Sequence, residues 1–251
     1  MRKMYIYSLL IFLLAACRKH HDRPADPGNG GGQPDPSVRI KSLNNTTYAY
    51  DNQGRLIRAT YSNSITARTD YTYTRDSVVG TDYNLQGVPH GGGVTYYLSD
   101  DGLARNVRYI IDSTIPPLIL NLTYNADRQL EQQTVHEEGE APDLLTIRYY
   151  SKGNLDSVKS FDVVDNKVAE IQRSDYYTDR HNYLSSEHNG VSMIGVSSVN
   201  LVKKETQEFP GSGVSTRVLI YTYEFDERGR PVTRHMLLDG VPQPDLSYTW
   251  Y

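Results

Sequence analysis

The chain has 251 residues, a formal net charge of −4 and a mean hydropathy of −0.57. A mildly acidic surface repels phosphate backbones, so nucleic-acid binding is excluded as a main function. Tyrosine dominates the aromatic content, with 21 Tyr against 4 Phe. This composition suits sheet faces that are half covered and half wet better than a thick, dry core.

The N-terminal segment predicts export from the cytoplasm. Two basic residues precede an apolar run at 5–14, which is shorter than the roughly 17 to 25 residues of a membrane-spanning helix. Residues 14–17, Leu-Ala-Ala-Cys, resemble the lipobox of bacterial lipoproteins, in which the cysteine is acylated and becomes the mature N-terminus. We therefore predict a signal peptide at 1–16, lipidation of Cys17 and attachment to a membrane through acyl chains.

The residues around Cys17 agree with a tethered domain. It is the only cysteine, so a disulfide within the chain is excluded. Arg18, rather than Asp, follows it, which favours an outer-membrane lipoprotein facing the periplasm or the cell surface. The Gly- and Pro-rich stretch up to residue 37 predicts a flexible linker, so 17–37 forms the tether. Within it, His20 and His21 fit a basic cluster near the headgroups better than a metal site.

A repeated pattern organises the remaining segment, 38–251. Tyrosines at alternate positions are followed by a polar turn with glycine and then by an apolar residue, in five alignable units. The units are YAYDNQGRL (48–56), YYLSDDGLA (96–104), LTYNADRQL (122–130), IRYYSKGNL (147–155) and YEFDERGRP (223–231). Alternation places both tyrosines on one strand face, while Asp and Gly suit a tight turn with a left-handed position. Each unit therefore predicts a β-hairpin.

The first and last units resemble the YD repeats of Rhs-type proteins. The wider layout of lipobox, Gly/Pro linker and hairpins resembles the tyrosine-rich lipoproteins of unknown function that are common in Bacteroidota. These resemblances imply a secreted, membrane-tethered repeat sheet and bring no catalytic residues. Two departures stand out, because Arg128 replaces the turn glycine and Pro231 replaces the leucine.

The segment from Leu184 to Leu201 interrupts the repeats, since it has no tyrosine and places β-branched residues among small ones. It predicts an excursion that covers one end or face of the sheet, and its pattern leaves helix and extended chain open. Overall, the sequence predicts an all-β domain of successive antiparallel hairpins in a long, twisted and curled sheet. A closed barrel or a two-layer sandwich is the alternative.

A search for catalytic chemistry favours a protein that is not an enzyme. No HExxH, GxSxG, P-loop or dinucleotide-binding glycine motif is present. The stretch VHEEGE at 135–140 fits a solvated hairpin loop. The paired carboxylates of Asp100 and Asp101 could serve glycoside hydrolysis, but they occupy a turn of the repeat, which explains them without catalysis.

No metal or cofactor is expected. His181 and His188 could meet a metal ion together with Asp179 or Glu187, but this spacing specifies no ligand geometry, so surface histidines are the favoured interpretation.

Two functions from different classes follow. The first is a non-enzymatic envelope or cell-surface lipoprotein with a structural or macromolecule-binding domain, and the alternative is a glycan-binding or glycan-processing accessory protein. Protein or glycan is thus the expected partner, and the oligomeric state stays open. The candidate binding face comprises Tyr48, Tyr50, Tyr71, Tyr73, Tyr96, Tyr124, Tyr149, Tyr221 and Tyr223. The residues expected to shape turns are Asp51, Gly54, Gly102, Gly153, Asp226 and Gly229.

Overall fold

The computed structural model describes residues 38–62, 64–111, 114–186, 188–210, 213 and 216–251. This part of the chain is built from sixteen β-strands, and a 3-10 helix spans Ser192–Ile194. The strands are β1 Ile40–Leu43, β2 Thr46–Tyr50, β3 Leu56–Tyr61, β4 Arg68–Tyr73, β5 Ser77–Tyr83, β6 Pro89–Leu98, β7 Ala104–Ile110, β8 Leu118–Tyr124, β9 Leu130–Glu137, β10 Leu144–Ser151, β11 Asn154–Asp162, β12 Lys167–His181, β13 Asn200–Glu208, β14 Arg217–Phe225, β15 Pro231–Leu238 and β16 Val241–Trp250.

The strands form a closed antiparallel barrel, in which each strand pairs with its neighbours in sequence. β1 and β16 close the ring, with Ile40 opposite Trp250 and Leu43 opposite Tyr248. The all-β hairpin prediction is confirmed, whereas the preference for an open, curled sheet is wrong and the closed-barrel alternative is correct. Sixteen twisted strands exceed the roughly ten at which an open sheet curls or splits. Closure also removes the two unpaired edges that an open sheet would expose.

The two ends of the barrel differ in their connections. At one end, here called the turn end, even-numbered strands pass into odd-numbered strands through the short turns of the repeat. In the first turn, Asp51 Oδ1 accepts hydrogen bonds from the backbone N–H groups of Gln53 (2.9 Å) and Arg55 (2.8 Å). Gly54 adopts a φ of 75°, the left-handed conformation that glycine favours. The turn at 226–230 has the same hydrogen bonds and glycine conformation.

The turn at 125–129 keeps this geometry without a glycine. Asn125 Oδ1 accepts from the N–H groups of Asp127 and Gln129, each at 2.9 Å. Arg128 takes the left-handed position with a φ of 60°, and its guanidinium donates to the carbonyl oxygen of Asp101 in the neighbouring turn at 3.1 Å. The backbone cost of a non-glycine residue is therefore offset in part by a contact that glycine could not make.

Aromatic side chains near the turn end form a ring of hydrogen bonds around the barrel wall, here called the aromatic girdle. In the first member, the Tyr50 hydroxyl on β2 donates to the carbonyl oxygen of Ile40 at the start of β1, at 2.8 Å. The others are Tyr73 to Leu56, Tyr124 to Ala104, Tyr150 to Leu130, Tyr176 to Leu155, Tyr223 to Val202 and Trp250 Nε1 to Pro231, at 2.7–3.0 Å. Each bond ties an even-numbered strand to the odd-numbered strand before it, so the repeated tyrosine has a structural role.

The inner face of the barrel is largely apolar, and the outer face is largely polar. On β8, Leu118, Leu120 and Leu122 are buried, whereas Asn121 and Thr123 between and beyond them are exposed. The largest buried cluster draws on strands β6 to β10 and contains Val94, Ala104, Val107, Leu118, Leu120, Leu122, Leu130, Val135 and Leu144. This alternation follows from the two-residue period of a strand and identifies the lumen as the core.

The connection between β12 and β13, residues 182–199, covers the turn end from inside and is here called the plug. Its backbone carbonyl groups accept hydrogen bonds from the first residues of β1 and β3. For example, Leu56 N donates to Gly190 O at 3.2 Å. Its Ser198 hydroxyl accepts from Leu155 N at 3.0 Å. Met193 and Ile194 are buried in a cluster with Val78. The segment that interrupts the repeats therefore closes one end of the barrel, mainly as turns and extended chain.

Adjacent tyrosines on β10 give a matched test of the aromatic girdle. Tyr150→Phe is expected to lower the free energy of unfolding by about 1–2 kcal/mol, because the buried carbonyl of Leu130 loses its donor. Tyr149→Phe should change it by less than about 0.5 kcal/mol, because that side chain lies on the outer face and is 43% exposed. Urea unfolding of both variants measures the difference, and equal losses would rule out a structural girdle.

Candidate ligand-binding site in the barrel lumen

Among the described residues, two cavities in the lumen extend from the plug towards the opposite, loop end of the barrel. The larger has a volume of about 550 Å³, and its wall is formed mainly by β10 to β15. The smaller, of about 390 Å³, lies against β3 to β8. Plug residues Leu184 and Ser198 contribute to the larger cavity, and Val191 and Ile194 contribute to the smaller. The plug therefore forms part of the wall of both.

A carboxylate network lies halfway along the larger cavity. Glu205 on β13 accepts a hydrogen bond from the Tyr221 hydroxyl at 2.6 Å and another from Gln172 Nε2 at 2.8 Å. Burial raises the pKa of Glu205, although the hydrogen bond from Tyr221 opposes this shift. Burial, followed by the charge of Glu205, raises the pKa of the Tyr221 hydroxyl as well. Tyr221 is therefore a persistent donor to this carboxyl group.

Guanidinium groups flank the network on both sides. The Arg234 guanidinium lies over the ring of Tyr221, with 5.2 Å between its central carbon and the ring centroid. Its Nε atom is buried, with no hydrogen-bond partner among the described residues. On the other side of the cavity, Arg148 is buried and donates from Nη2 to Gln133 Oε1 at 3.0 Å. The lining of this cavity thus includes both cationic donors and a carboxylate acceptor.

The loop end of the larger cavity carries a second carboxylate. Glu170 on β12 points inward opposite Ser160. Burial raises the pKa of Glu170, the charge of Glu205 adds to the shift and Arg217 opposes it. The Arg217 guanidinium lies 5.3 Å from the ring centroid of Phe209, which also lines the cavity. Charged and aromatic groups therefore stand together where the cavity approaches the barrel rim.

The smaller cavity has fewer charged groups. The Thr69 hydroxyl donates to Asp82 Oδ1 at 2.6 Å and lies 3.1 Å from the Tyr61 hydroxyl. Tyr71 also lines this cavity, and burial raises the pKa of its hydroxyl well above the ordinary value. Its remaining lining is mostly apolar, so the larger cavity offers the richer set of polar contacts.

Most tyrosines of the candidate binding face point into the lumen. Tyr221 and Tyr223 line the larger cavity, and Tyr71 and Tyr96 line the smaller. The hydroxyls of Tyr50, Tyr73 and Tyr124 are used by the aromatic girdle, and Tyr48 is opposite the buried Ala59 on the inner face. Tyr149 is the exception, because it lies on the outer face and its neighbour Tyr150 points inward. Their role as ligand contacts stays a prediction.

Sequence reasoning missed the polar residues of the larger cavity. Gln172 and Glu205 lie on β12 and β13, between the repeat units at 147–155 and 223–231, and Arg234 lies on β15 just after the last unit. The sequence offered only a partial signal, because a polar residue on the apolar face of a strand indicates a buried polar group that needs a partner. Pairing of β12 through β15 then brings them together.

The other candidate groups do not converge on a site. The rings of His181 and His188 lie 6.4 Å apart and pack with Tyr183. Glu187 and the histidines at 20 and 21 lie outside the described residues. Within the residues that are described, no three His, Cys, Asp or Glu side chains are placed to hold a metal ion.

The carboxylates that could have suggested catalysis make local contacts. Glu138, within the VHEEGE stretch, forms an ion pair with Arg108 at 2.8 Å. Asp101 accepts a hydrogen bond from the Ser99 hydroxyl at 2.6 Å within its turn. In the described ranges, no helix is both long enough and apolar enough to cross a membrane.

Comparison with known proteins identifies the fold and no family. No protein-family model matches the chain, and no curated protein does either, so the resemblances to YD-repeat proteins and lipoproteins have no support from a match. The chain is similar to the crystal structure of a porin-like protein from Bacteroides uniformis, with 18% identity, a TM-score of 0.61 and coverage of 82% of this chain and 89% of that one.

A porin-like protein from Bacteroides vulgatus is also similar in structure, with 12% identity, a TM-score of 0.56 and coverage of 85% and 99%. At these identities, the similarity shows a shared β-barrel fold and nothing beyond the fold.

Proposed function

We propose that the protein is a non-enzymatic, lipid-anchored protein of the outer membrane whose barrel stands beside the bilayer and binds a small ligand in its lumen. The observation that carries this proposal is the distribution of charge. Ion pairs lie along the outer face, and the larger lumenal cavity holds a network of polar groups within an apolar wall. The anchor, Cys17, lies outside the described residues.

The outer face is unsuited to contact with lipid tails. Arg58 on β3 and Asp70 on β4 form a two-point ion pair across the strands, with Nε and Oδ1 at 2.5 Å. On the opposite wall, Arg173 on β12 pairs with Glu208 on β13. A barrel that spans a bilayer presents an apolar band about 25 Å tall, and an outward Arg or Lys at its midplane costs about 2–4 kcal/mol. Water is the environment that suits these pairs.

Strand length supports the same position. A strand that crosses a bilayer needs about 9–11 residues. β3 and β4 have six residues each, and β8 has seven. These strands suffice for a small barrel in water.

The contents of the lumen favour ligand binding over passage of solutes. Porins of about 16–18 strands leave an aqueous channel. In this barrel the plug covers the turn end, and buried apolar clusters line the inner face along β5 to β10. Because a cavity of about 550 Å³ has the size of a small-molecule site, the expected partner in the lumen is a small ligand rather than a folded protein.

Removal of the acylated cysteine tests the location. Cys17→Ser is expected to move the protein from the membrane fraction to the soluble fraction without changing its unfolding midpoint, because the predicted linker separates the anchor from the barrel. Cell fractionation with a detergent-solubilised control measures the distribution. If a Ser variant from which 1–16 had been removed remained in membranes after alkaline extraction, the barrel itself would be embedded and the proposal would be wrong.

A further inference from the structure

We infer that the larger cavity binds a short oligosaccharide, with Glu205, Gln172 and Arg234 as its polar contacts and tyrosine rings as its platform. This inference rests on the proposed function, in which the lumen is a ligand site. It adds the chemical class of the ligand, the residues that recognise it and the end of the barrel through which it enters.

The polar groups in the middle of the cavity match the hydroxyl groups of a sugar. Each sugar hydroxyl both donates and accepts hydrogen bonds, so a matching site places acceptors beside donors. Glu205 already accepts from Tyr221 and Gln172, yet a carboxylate offers about four lone-pair positions, which leaves capacity for ligand hydroxyls. Arg234 supplies the donor, because its buried Nε has no partner among the described residues. An unsatisfied buried donor is costly, and a ligand oxygen would remove that cost.

The aromatic groups match the apolar faces of sugar rings. Tyr176 and Tyr223 line the cavity, and their hydroxyls are held by the carbonyl oxygens of Leu155 (2.7 Å) and Val202 (3.0 Å). With the hydroxyls held by the aromatic girdle, the two side chains keep one direction along the cavity wall. Their orientation is therefore set before a ligand binds, which lowers the entropy cost of binding.

Other ligand classes fit the cavity less well. An acyl chain would leave the buried Arg234 Nε without a partner and would offer no hydrogen bond to the carboxylates of Glu170 and Glu205, which is unfavourable. An extended peptide commonly adds a strand to a free sheet edge, and a closed barrel offers none. The cavity volume of about 550 Å³ lies within the range of small-molecule sites and allows only a short oligosaccharide.

The ligand would enter through the loop end. The plug covers the turn end, where its backbone is bonded to β1 and β3. Phe209, Arg217 and Leu238 line the cavity near the loop end, so a sugar would first meet an aromatic ring and a cation there.

The test uses the full acylated chain in detergent micelles. An array of short neutral, amino and uronic-acid oligosaccharides is probed first, and each positive sugar is then titrated by calorimetry. The expected result is saturable binding of at least one oligosaccharide, weakened about ten- to a hundredfold by Glu205→Gln, as fits the loss of a hydrogen bond to a charged group. The matched control is Glu208→Gln on the outer face of the same strand, which should bind as the unchanged chain does.

Two further measurements keep the result interpretable. Thermal unfolding of Glu205→Gln shows whether the variant is folded, and Arg234→Lys provides a second variant in which the charge remains but the fork of donors is lost. No sugar binding, or sugar binding unaffected by both variants, would overturn the inference. Binding of palmitate or of a peptide library in place of sugars would overturn the ligand class. Fractionation of Cys17→Ser tests the location of the barrel separately, so a wrong ligand class can be distinguished from a wrong location.

Discussion

Leu122→Arg is expected to unfold the barrel or to lower its free energy of unfolding by about 4 kcal/mol or more. The Leu122 side chain is 4% exposed and belongs to the largest buried cluster. An arginine there would place a charge among leucines and valines with no acidic partner in that cluster, and an unpaired buried charge is among the most destabilising changes known. Urea unfolding followed by circular dichroism measures the effect.

The neighbouring residue provides the control. Thr123→Arg should change the free energy of unfolding by less than about 0.5 kcal/mol, because Thr123 is exposed on the outer face beside polar strands. If Thr123→Arg lowered the free energy of unfolding strongly and Leu122→Arg did so only slightly, the assignment of inner and outer faces would be wrong. The lumen would then be the polar side, as in a barrel that spans a bilayer.

Gly190→Val is expected to displace the plug and to destabilise the barrel by about 3–5 kcal/mol. Gly190 has a φ of 68°, which a β-branched residue resists. A Cβ atom at this position would also lie 2.6 Å from Leu56 N and 3.0 Å from Gly54 O. Both are backbone atoms of the barrel, so the plug has to move away. Limited proteolysis between residues 182 and 199, together with urea unfolding, measures the release.

A second glycine separates the clash from the backbone strain. Gly229 has a φ of 74°, but a Cβ atom there would have no neighbour within 4 Å. Gly229→Val should therefore cost only the strain, about 1–3 kcal/mol, and should leave the plug resistant to protease. Equal losses for the two variants, with no new cleavage in the plug, would show that the plug contributes little to stability.

Local features of the fold followed from the sequence, whereas closure did not. The tyrosine alternation and the Asp-x-x-Gly turns predicted hairpins, since both are determined by residues close in sequence. Closure depends on the pairing of β1 with β16, in which Ile40 meets Trp250 across more than two hundred residues. No local pattern encodes that contact. A tyrosine-rich composition suggested an open, wet face, but the girdle hydrogen bonds let those tyrosines line a closed wall.

The candidate site depended even more on long-range assembly. The repeat indicated which tyrosines share a strand face, but it could not show whether that face lined a lumen. It also placed Tyr149 on this face, because the repeat aligns Tyr149 with Tyr50. The turn after Ser151 has only two residues, so Tyr150, opposite Leu155, takes the position that Tyr50 holds opposite Leu56. The network of Gln172, Glu205 and Tyr221 spans three strands and is brought together only by their register. Sequence spacing alone does not contain that information.

The position of the barrel relative to the bilayer is measured most directly with a spin label on the outer face. Ile220→Cys places a label in the middle of β14, at an outward apolar position that would face lipid tails in an embedded barrel. The acylated full chain is incorporated into liposomes, and power-saturation EPR compares relaxation by a water-soluble nickel chelate with relaxation by oxygen. We expect strong relaxation by the nickel chelate, as for a label in water. Strong relaxation by oxygen with little effect of nickel would place Ile220 in the hydrocarbon and contradict the account.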